Sequence, residues 1–245
     1  MRDMCMDAKR GFLPEDEKNF SPESLETMKT ASRHVFYLIN EGYDLKQAAT
    51  FVGNHFLLSE RQRLAIMRSL ATKEQLAERK DKEIPLAELS DGEVWIDGFN
   101  TIITLEVLLS DSVLFSCMDS TVRDLAALRG TYRIIPETDG AVRALFDILR
   151  EVKIRKANIL LDEPVSNSGR LKALIADIGE SYPFELDIRI LKDVDRALYE
   201  KEYVITSDSI ILDRCLSWVN PIPKCLAQRG LQGFRIWPDD LNNNN

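Results

Sequence analysis

The sequence predicts an α/β domain with a parallel sheet, preceded by a small all-helical module. Two observations lead to this fold class. Beyond Glu93, four short apolar segments alternate with helical segments, and nearly continuous apolar strands of this kind are typical of a parallel sheet that is buried on both faces. Before Pro85, apolar residues instead recur at helical spacing. A chain of 245 residues is long enough for one such domain and a smaller module.

Three helices are predicted in the amino-terminal part. The first begins after Ser21, a residue type that commonly caps helices, and should end near Gly42. The second and third follow it, separated by Gly53 and a short connection. We therefore place the helical module at residues 21–84 and a weakly ordered lead-in at residues 1–20.

The α/β domain is predicted to cover residues 90–241, and the Asn242–Asn245 tail is expected to be disordered. The predicted strands are residues 93–97, 157–162, 185–191 and 203–206. Helices are expected between them, including Ser120–Leu128 and Gly140–Lys153. This alternation predicts a sheet flanked by helices.

Composition argues against several classes of protein. The 4 cysteines have no CxxC spacing, which argues against a zinc ribbon, and the 2 histidines lie far from the acidic part, which argues against a Ser-His-Asp hydrolase. No P-loop or GxGxxG motif is present. No apolar run approaches a membrane span, and the acidic start is unlike a signal peptide, so we expect a cytoplasmic protein without membrane contact. The net charge of −8 does not suggest nucleic acid, but clustered acids that bind a cation would contribute to it.

Aspartates follow the predicted strands at their carboxyl ends. Asp97, Asp162 and Asp208 stand at three such ends, and Asp193 and Asp195 follow another. Ligands of parallel α/β sheets bind at this edge. Neighbouring carboxylates repel one another unless a cation binds them, and hard oxygen ligands favour Mg²⁺ or Mn²⁺. An Asp in this position can also cap the next helix, but four strand ends with acids favour a metal site.

Two segments follow a known motif pattern. Val94–Asn100 reads as a strand followed by Asp-Gly-Phe-Asn, and Asp195–Leu198 precedes the strand and Thr-Ser-Asp of Tyr203–Asp208. Together they resemble the NYN branch of the PIN-like nuclease superfamily, in which a strand leads to Asp-Gly-x-Asn, and a later acid and strand lead to Thr-x-Asp or Ser-x-Asp. The resemblance spans about Glu93 to Trp218.

This resemblance implies a PIN-like, Rossmannoid fold and a metal-dependent nuclease that usually acts on RNA. It places Asp97, Asp195 and Asp208 at the family's acidic positions. The remaining family acid, on an early helix, has two candidates, Asp119 and Asp124. Asp119 could instead cap that helix.

Polar residues near the strand ends are candidates for substrate binding. Small polar side chains after Asp162, ahead of a helix with two bases, could present backbone N–H groups to a phosphate, or simply cap the helix. Asn100 could orient a water or phosphate, or close a tight turn. The substrate-binding candidates are Asn100, Arg123, Ser166, Asn167, Ser168, Arg170, Lys172 and Ser207.

The helical module allows an interpretation of its own. Its second and third helices have the length and central glycine of a helix-turn-helix, so Arg61, Arg63 and Arg68 could face DNA. Three basic residues beside the acidic Glu60 make only a weakly positive surface, however, and ordinary helix packing is the simpler interpretation.

We therefore predict a metal-dependent nuclease that hydrolyses phosphodiesters, with RNA as the expected substrate. Mg²⁺ or Mn²⁺ would be bound by Asp97, Asp162, Asp195 and Asp208, with Asp119, Asp124 or Asp193 assisting. The helical module would position substrate or mediate self-association. The alternative is a non-catalytic nucleic-acid-binding or regulatory protein that retains the fold.

Overall fold

The computed structural model describes residues 9–126 and 130–241, and it has a mixed α/β architecture with an amino-terminal helical region. The helices are α1 (Asp16–Asn19), α2 (Pro22–Asn40), α3 (Leu45–His55), α4 (Glu60–Ser69), α5 (Lys73–Lys82), α6 (Gly98–Leu109), α7 (Glu137–Glu151), α8 (Ser168–Gly179), α9 (Val194–Leu198), α10 (Ser209–Arg214) and α11 (Ile222–Gln228). The strands are β1 (Glu93–Asp97), β2 (Leu114–Ser116), β3 (Val122–Asp124), β4 (Lys156–Asp162), β5 (Glu185–Leu191) and β6 (Val204–Ile205). The predicted Asn242–Asn245 tail lies outside the described residues.

Side-chain caps determine where the helices of the amino-terminal region begin. The side chains of Ser21, Asp44, Ser59 and Thr72 each accept a hydrogen bond from a backbone N–H three residues later. Such a bond satisfies one of the N–H groups that a helix start leaves without a partner. The three helices predicted for this region are present as α2, α3 and α4, and α5 follows them. Gly53, predicted to separate the second and third helices, lies inside α3 instead.

A four-stranded parallel sheet forms the centre of the α/β part. Its strand order is β5-β4-β1-β6, so β1 is paired on both sides. In the register, Asp97 lies opposite Leu160, and Asp162 lies opposite Leu191. Most buried side chains of β1 and β4 pack against the surrounding helices in one apolar core, whereas Leu160 of β4 packs in a separate cluster with Trp218. The predicted parallel sheet flanked by helices is therefore confirmed.

The helix predicted at Ser120–Leu128 is wrong. Residues 122–124 instead form β3, which pairs antiparallel with β2. Ser120 has a positive φ of 65° and lies in the tight turn that joins the two strands. A serine of this kind resembles a helix cap in sequence, but the β-branched Thr121 and Val122 that follow it suit a strand. The last residues of that predicted helix, 127–129, lie outside the described residues.

A second apolar core joins the helical region to the rest of the chain. Buried residues of α2 to α4 pack there with Phe115 of β2, with Leu125, and with Ile236 and Trp237 near the carboxyl end. The Trp237 indole donates a hydrogen bond to the carbonyl of Ser116 at 2.9 Å. The helical region therefore shares its core with the β2–β3 hairpin and the carboxyl-terminal segment.

Residues 9–20, which the sequence suggests are weakly ordered, are fixed by buried charges. The Arg10 guanidinium donates to Glu106 at 2.8 Å, and the Tyr132 hydroxyl donates to the same carboxylate at 2.6 Å. Arg10 is buried and Glu106 is fully buried, so each compensates the charge of the other. Residues 1–8 of the predicted lead-in lie outside the described part of the chain.

Candidate functional site

Asp97 lies at the centre of the carboxyl edge of the sheet. It ends β1, precedes α6, and is 5% exposed. Its Oδ2 atom accepts a hydrogen bond from the Thr206 hydroxyl at 2.8 Å. Burial raises the pKa of Asp97 to about 8, against the opposing effect of the Thr206 bond, and the charges of Asp208, Asp162 and Asp195 raise it further.

The other strand-end carboxylates surround Asp97. Asp162 ends β4 and is half-buried, and Asp195 is exposed in the first turn of α9. Burial raises the pKa of Asp162, and the charge of Asp195 adds to the rise. Burial likewise raises the pKa of Asp195, with a contribution from Asp208. The sheet therefore brings Asp97, Asp162, Asp195 and Asp208 close enough to influence one another, as predicted from the strand ends. We call these four residues the acid cluster.

Among the described residues, no cationic side chain is paired with the acid cluster. Across residues 9–126 and 130–241, no salt bridge involves Asp97, Asp162, Asp195 or Asp208. In the same ranges, no three His, Cys, Asp or Glu side chains are already gathered into a group that could hold one metal ion. The carboxylates are all-oxygen donors with uncompensated repulsion, and this chemistry fits a hard divalent cation.

Two of the strand-end acids also cap helices. One oxygen of Asp208 accepts bonds from the backbone N–H groups of Ile210 and Ile211 at 2.8 and 3.2 Å. Asp193 is exposed and caps α9 through the N–H of Arg196 at 3.0 Å. The capping alternative therefore holds for both residues. In Asp208 only one carboxylate oxygen makes these bonds, so the capping role leaves the other oxygen available.

The connection after β6 is tied closely to α6. Asn100 Oδ1 accepts two hydrogen bonds from Ser207, from its N–H at 2.8 Å and from its hydroxyl at 2.9 Å. Thr206 accepts a bond from the N–H of Asp208 at 3.0 Å while it donates to Asp97. Thr206 thus links two members of the acid cluster. The sequence analysis assigned it no role, although the Thr-x-Asp spacing could have indicated one.

Asp119 lies in a buried ion network. Its carboxylate accepts bonds from Arg79 and Arg123, each at 2.6 Å. Burial would raise the pKa of Asp119, but the two guanidinium groups, Arg123 foremost, hold it below its ordinary value. Arg123 is itself buried and donates to the carbonyls of Ser207 and Arg68, both at 2.6 Å. Arg123, a candidate for substrate binding, therefore fixes the backbone beside the acid cluster.

Asp124, the other candidate for the early family acid, ends β3 in a buried position. Its carboxylate accepts bonds from the Thr104 hydroxyl at 2.9 Å and from the Ala126 N–H at 2.7 Å. The Arg68 guanidinium lies 3.6 Å away. Asp124 is thus on a hairpin strand and not on the expected helix, and its contacts tie the hairpin to α6.

The polar segment after β4 is used to hold its own loop. Ser166 and Asn167 both donate to the carbonyl of Tyr132, at 3.0 and 2.6 Å, and Ser168 donates to the carbonyl of Asp162 at 2.6 Å. Asn167 has a positive φ of 64° at the start of α8. No side-chain hydrogen bond caps α8 at Asn167, so the capping alternative is wrong for this segment. Arg170 and Lys172, the two basic residues predicted to bind phosphate, are both exposed on α8.

All three arginines considered for DNA contacts have partners within the chain, and Arg68 donates to the carbonyl of Asp124. Arg61 pairs with Asp16 at 2.6 Å, and Arg63 donates to the Leu58 carbonyl at 3.0 Å. These bonds agree with ordinary helix packing. Arg68 differs, because its side chain is 34% exposed.

A polar cleft of about 240 Å³ lies between the helical region and the α/β part. Arg68 of α4 lines one side, and Asn100, Ser207 and Asp208 line the other. Because Asp208 belongs to the acid cluster, the cleft opens directly beside that cluster.

Two family models match successive parts of the chain. A family model described as a domain of unknown function (DUF5616) matches residues 86–224, more than half of the chain. The chain belongs to this family. A second model, described as a protein of unknown function (DUF434), matches residues 27–82. The two matches meet where α5 ends, so the DUF5616 match contains the whole acid cluster.

One relative is an uncharacterised protein of Methanocaldococcus jannaschii, MJ0935. It is 36% identical over 186 residues, which cover 76% of this chain and 89% of the relative. No solved structure matches the chain. None of the helices in residues 9–126 and 130–241 combines the length and the apolar character needed to cross a membrane.

Proposed function

We propose that this protein is a PIN-like, metal-dependent nuclease that hydrolyses phosphodiester bonds of RNA. The acid cluster would bind Mg²⁺ or Mn²⁺, and the cleft beside it would receive the substrate. The resemblance of the β1 and β6 segments to the NYN branch of PIN-like nucleases supports the reaction class.

One observation carries the proposal: four carboxylates lie together at the carboxyl edge of a parallel sheet, and no Lys, Arg or His among the described residues forms a salt bridge with them. Acids elsewhere in the α/β part, such as Asp119 and Glu106, are paired with buried arginines. Burial raises the pKa of Asp97 to about 8, and repulsion from the other three carboxylates adds to the rise. Uncompensated charge of this kind is unfavourable for the fold, and perturbed acids near a cleft are typical of functional sites.

The chain's own residues would position the groups that act. A bound Mg²⁺ or Mn²⁺ supplies charge neutralisation at the phosphoryl group and lowers the pKa of water. Thr206 fixes the orientation of Asp97 and holds the backbone of Asp208. Asn100 and Arg123 hold Ser207 from opposite sides, through its N–H and its carbonyl. The acid cluster is therefore set on a rigid frame, as a site for in-line displacement requires.

The test uses the full chain with single-stranded and structured RNA, in Mn²⁺, Mg²⁺ or EDTA. We expect Mn²⁺-dependent cleavage, and a loss on the order of a hundredfold or more in Asp97→Asn and Asp208→Asn. Calorimetric Mn²⁺ titration without RNA should show binding that both substitutions weaken. Asp177→Asn, which removes one exposed carboxylate on α8, is the matched control and should change neither result. The proposal fails if Mn²⁺ neither binds nor supports cleavage.

A second candidate is a non-catalytic nucleic-acid-binding or regulatory protein with the same fold. The bonds of Asp97 to Thr206 and of Asp208 to the start of α10 favour it, because they give both acids structural roles. For this candidate we expect RNA binding without cleavage. Asp97→Asn and Asp208→Asn would then leave RNA binding intact in either metal.

A further inference from the structure

The cleft between the helical region and the α/β part contains hydrogen-bond donors that have no partner within residues 9–126 and 130–241. Asn100 Oδ1 must face Ser207, because the Ser207 N–H can bond only to an oxygen. The Asn100 Nδ2 group therefore points away from Ser207, and it has no acceptor within the described residues. Because Asn100 lines the cleft, this orientation leaves an N–H₂ group without an acceptor among the described residues at the cleft wall.

Arg68 supplies further donors on the opposite wall. Its Nη1 atom donates to the carbonyl of Asp124. Its Nε and Nη2 atoms have no acceptor among residues 9–126 and 130–241, and the side chain is partly exposed. A guanidinium held at one corner, with its other N–H groups free, is well suited to binding a phosphate.

The cleft also has an apolar surface next to these donors. Leu45 at the start of α3 and Met67 of α4 line it, and both side chains are half-buried. Its volume of about 240 Å³ lies below the roughly 300–1,000 Å³ of typical small-molecule sites. A group with a small flat apolar part and an anionic part suits this combination of walls.

We propose that the cleft binds one nucleotide of a single-stranded nucleic acid. Arg68 and Asn100 donate to its phosphodiester oxygens, and Leu45 and Met67 contact its base. The inference rests on the proposed function and gives it a substrate class, a single strand that passes between the two parts of the protein. Asp208 lines the same cleft, so the bound phosphodiester lies next to the acid cluster.

Fluorescence anisotropy with the full chain tests the cleft separately from catalysis. The probes are labelled oligouridylate and oligothymidylate of about twelve nucleotides, in EDTA and again in Ca²⁺. We expect Arg68→Gln to raise Kd about tenfold for the bound probe, the effect of one lost charged hydrogen bond. The slope of log Kd against log salt should fall by about 0.7, the value for one phosphate contact on a single strand.

Asn100→Asp provides an independent variant. It keeps the oxygen that accepts from Ser207 but replaces the free N–H₂ group with an anionic oxygen. We therefore expect Kd to rise at least as much as in Arg68→Gln. Arg143→Gln, on the exposed face of α7, is the matched control and should bind as the wild type does. Thermal unfolding of each variant checks that the fold is kept.

The outcomes separate the two proposals. Tighter binding of oligouridylate would show that the cleft prefers RNA, and equal binding would show that it accepts single strands of RNA and DNA alike. Either result supports the proposal that the cleft binds a nucleotide. Unchanged Kd in both cleft variants, or no binding of either probe by the wild type, overturns it. Cleavage with an unchanged KM in Arg68→Gln would retain the nuclease and reject the cleft. Arg68-dependent binding without Mn²⁺-dependent cleavage would retain the nucleotide-binding cleft and reject the nuclease.

Discussion

Asp97→Asn should stabilise the metal-free protein near neutral pH. The folded chain holds Asp97 with a pKa of about 8, whereas an unfolded chain has an Asp pKa of about 3.9. At pH values between these two pKa values, Asp97 keeps its proton in the folded state and releases it in the unfolded state. The free energy of unfolding therefore falls as pH rises, by about 1.4 kcal/mol for each pH unit.

The magnitude follows from that slope. The contribution of Asp97 to the free energy of unfolding is fully present below about pH 3.9. It is lost progressively between about pH 3.9 and about pH 8, and it changes no further above pH 8. From pH 5 to pH 7 the wild type should lose about 3 kcal/mol on this account. Asparagine has nearly the same shape and no charge, so the variant should escape this loss. The difference between variant and wild type should therefore grow with pH.

Urea denaturation in EDTA at several pH values between 5 and 8 measures this difference. Asp177→Asn, which removes an exposed carboxylate on α8, is the control and should track the wild type. Added Mn²⁺ should stabilise the wild type more at pH 8 than at pH 6, because a cation binds the ionised carboxylate. Parallel pH profiles of wild type and Asp97→Asn would show that folding does not raise the pKa of Asp97, and they would refute the argument.

Two further predictions concern the frame around the acid cluster. Arg79→Met should destabilise the protein by about 3 kcal/mol in urea denaturation, because it removes one of the two arginines that compensate the buried Asp119; a loss below about 1 kcal/mol would contradict this. Gly98→Ala should lower the free energy of unfolding by about 1–3 kcal/mol, since its Cβ would lie 2.7 Å from the backbone carbonyl oxygen of Leu160. Gly169→Ala, whose Cβ meets nothing within 4 Å, is the matched control, and equal effects of the two substitutions would reject the steric explanation.

Much of the sheet and the acid cluster could be predicted because the signals are local. Each main strand is a short apolar run, and Asp97 and Asp162 end their strands directly in the sequence. The parallel order of the strands then brings those ends to one edge. Helix starts at Ser21 and Ser59 were equally visible, since an N-cap acts within one turn.

The β2–β3 hairpin could not be predicted in this way. Its strands have three residues each, too few for an alternating pattern to stand out. They are stabilised by the apolar core they share with α2 to α4 and with Trp237. Ser120, where the wrongly predicted helix was to begin, lies in the turn that joins these two short strands.

The roles of Arg79 and Arg123 were also invisible in the sequence. Arg79 bonds to Asp213, which is 134 residues away, and Arg123 bonds to the carbonyl of Ser207, 84 residues away. A pattern of neighbouring residues cannot indicate such pairs. Arg123, a candidate for substrate binding from the sequence, and Arg79, which no sequence pattern indicates, therefore both stabilise the fold around the acid cluster.

These long-range bonds make the helical region part of the candidate site. Arg79 of α5 donates to the carbonyl of Ser209 and to Asp213, so it fixes α10 immediately after Asp208. Arg123 joins the carbonyl of Arg68 on α4 to that of Ser207. A shift of the helical region would therefore move Asp208 relative to Asp97, which is held by β1 instead. If the acid cluster binds a metal, the helical region determines its geometry as well as one wall of the cleft.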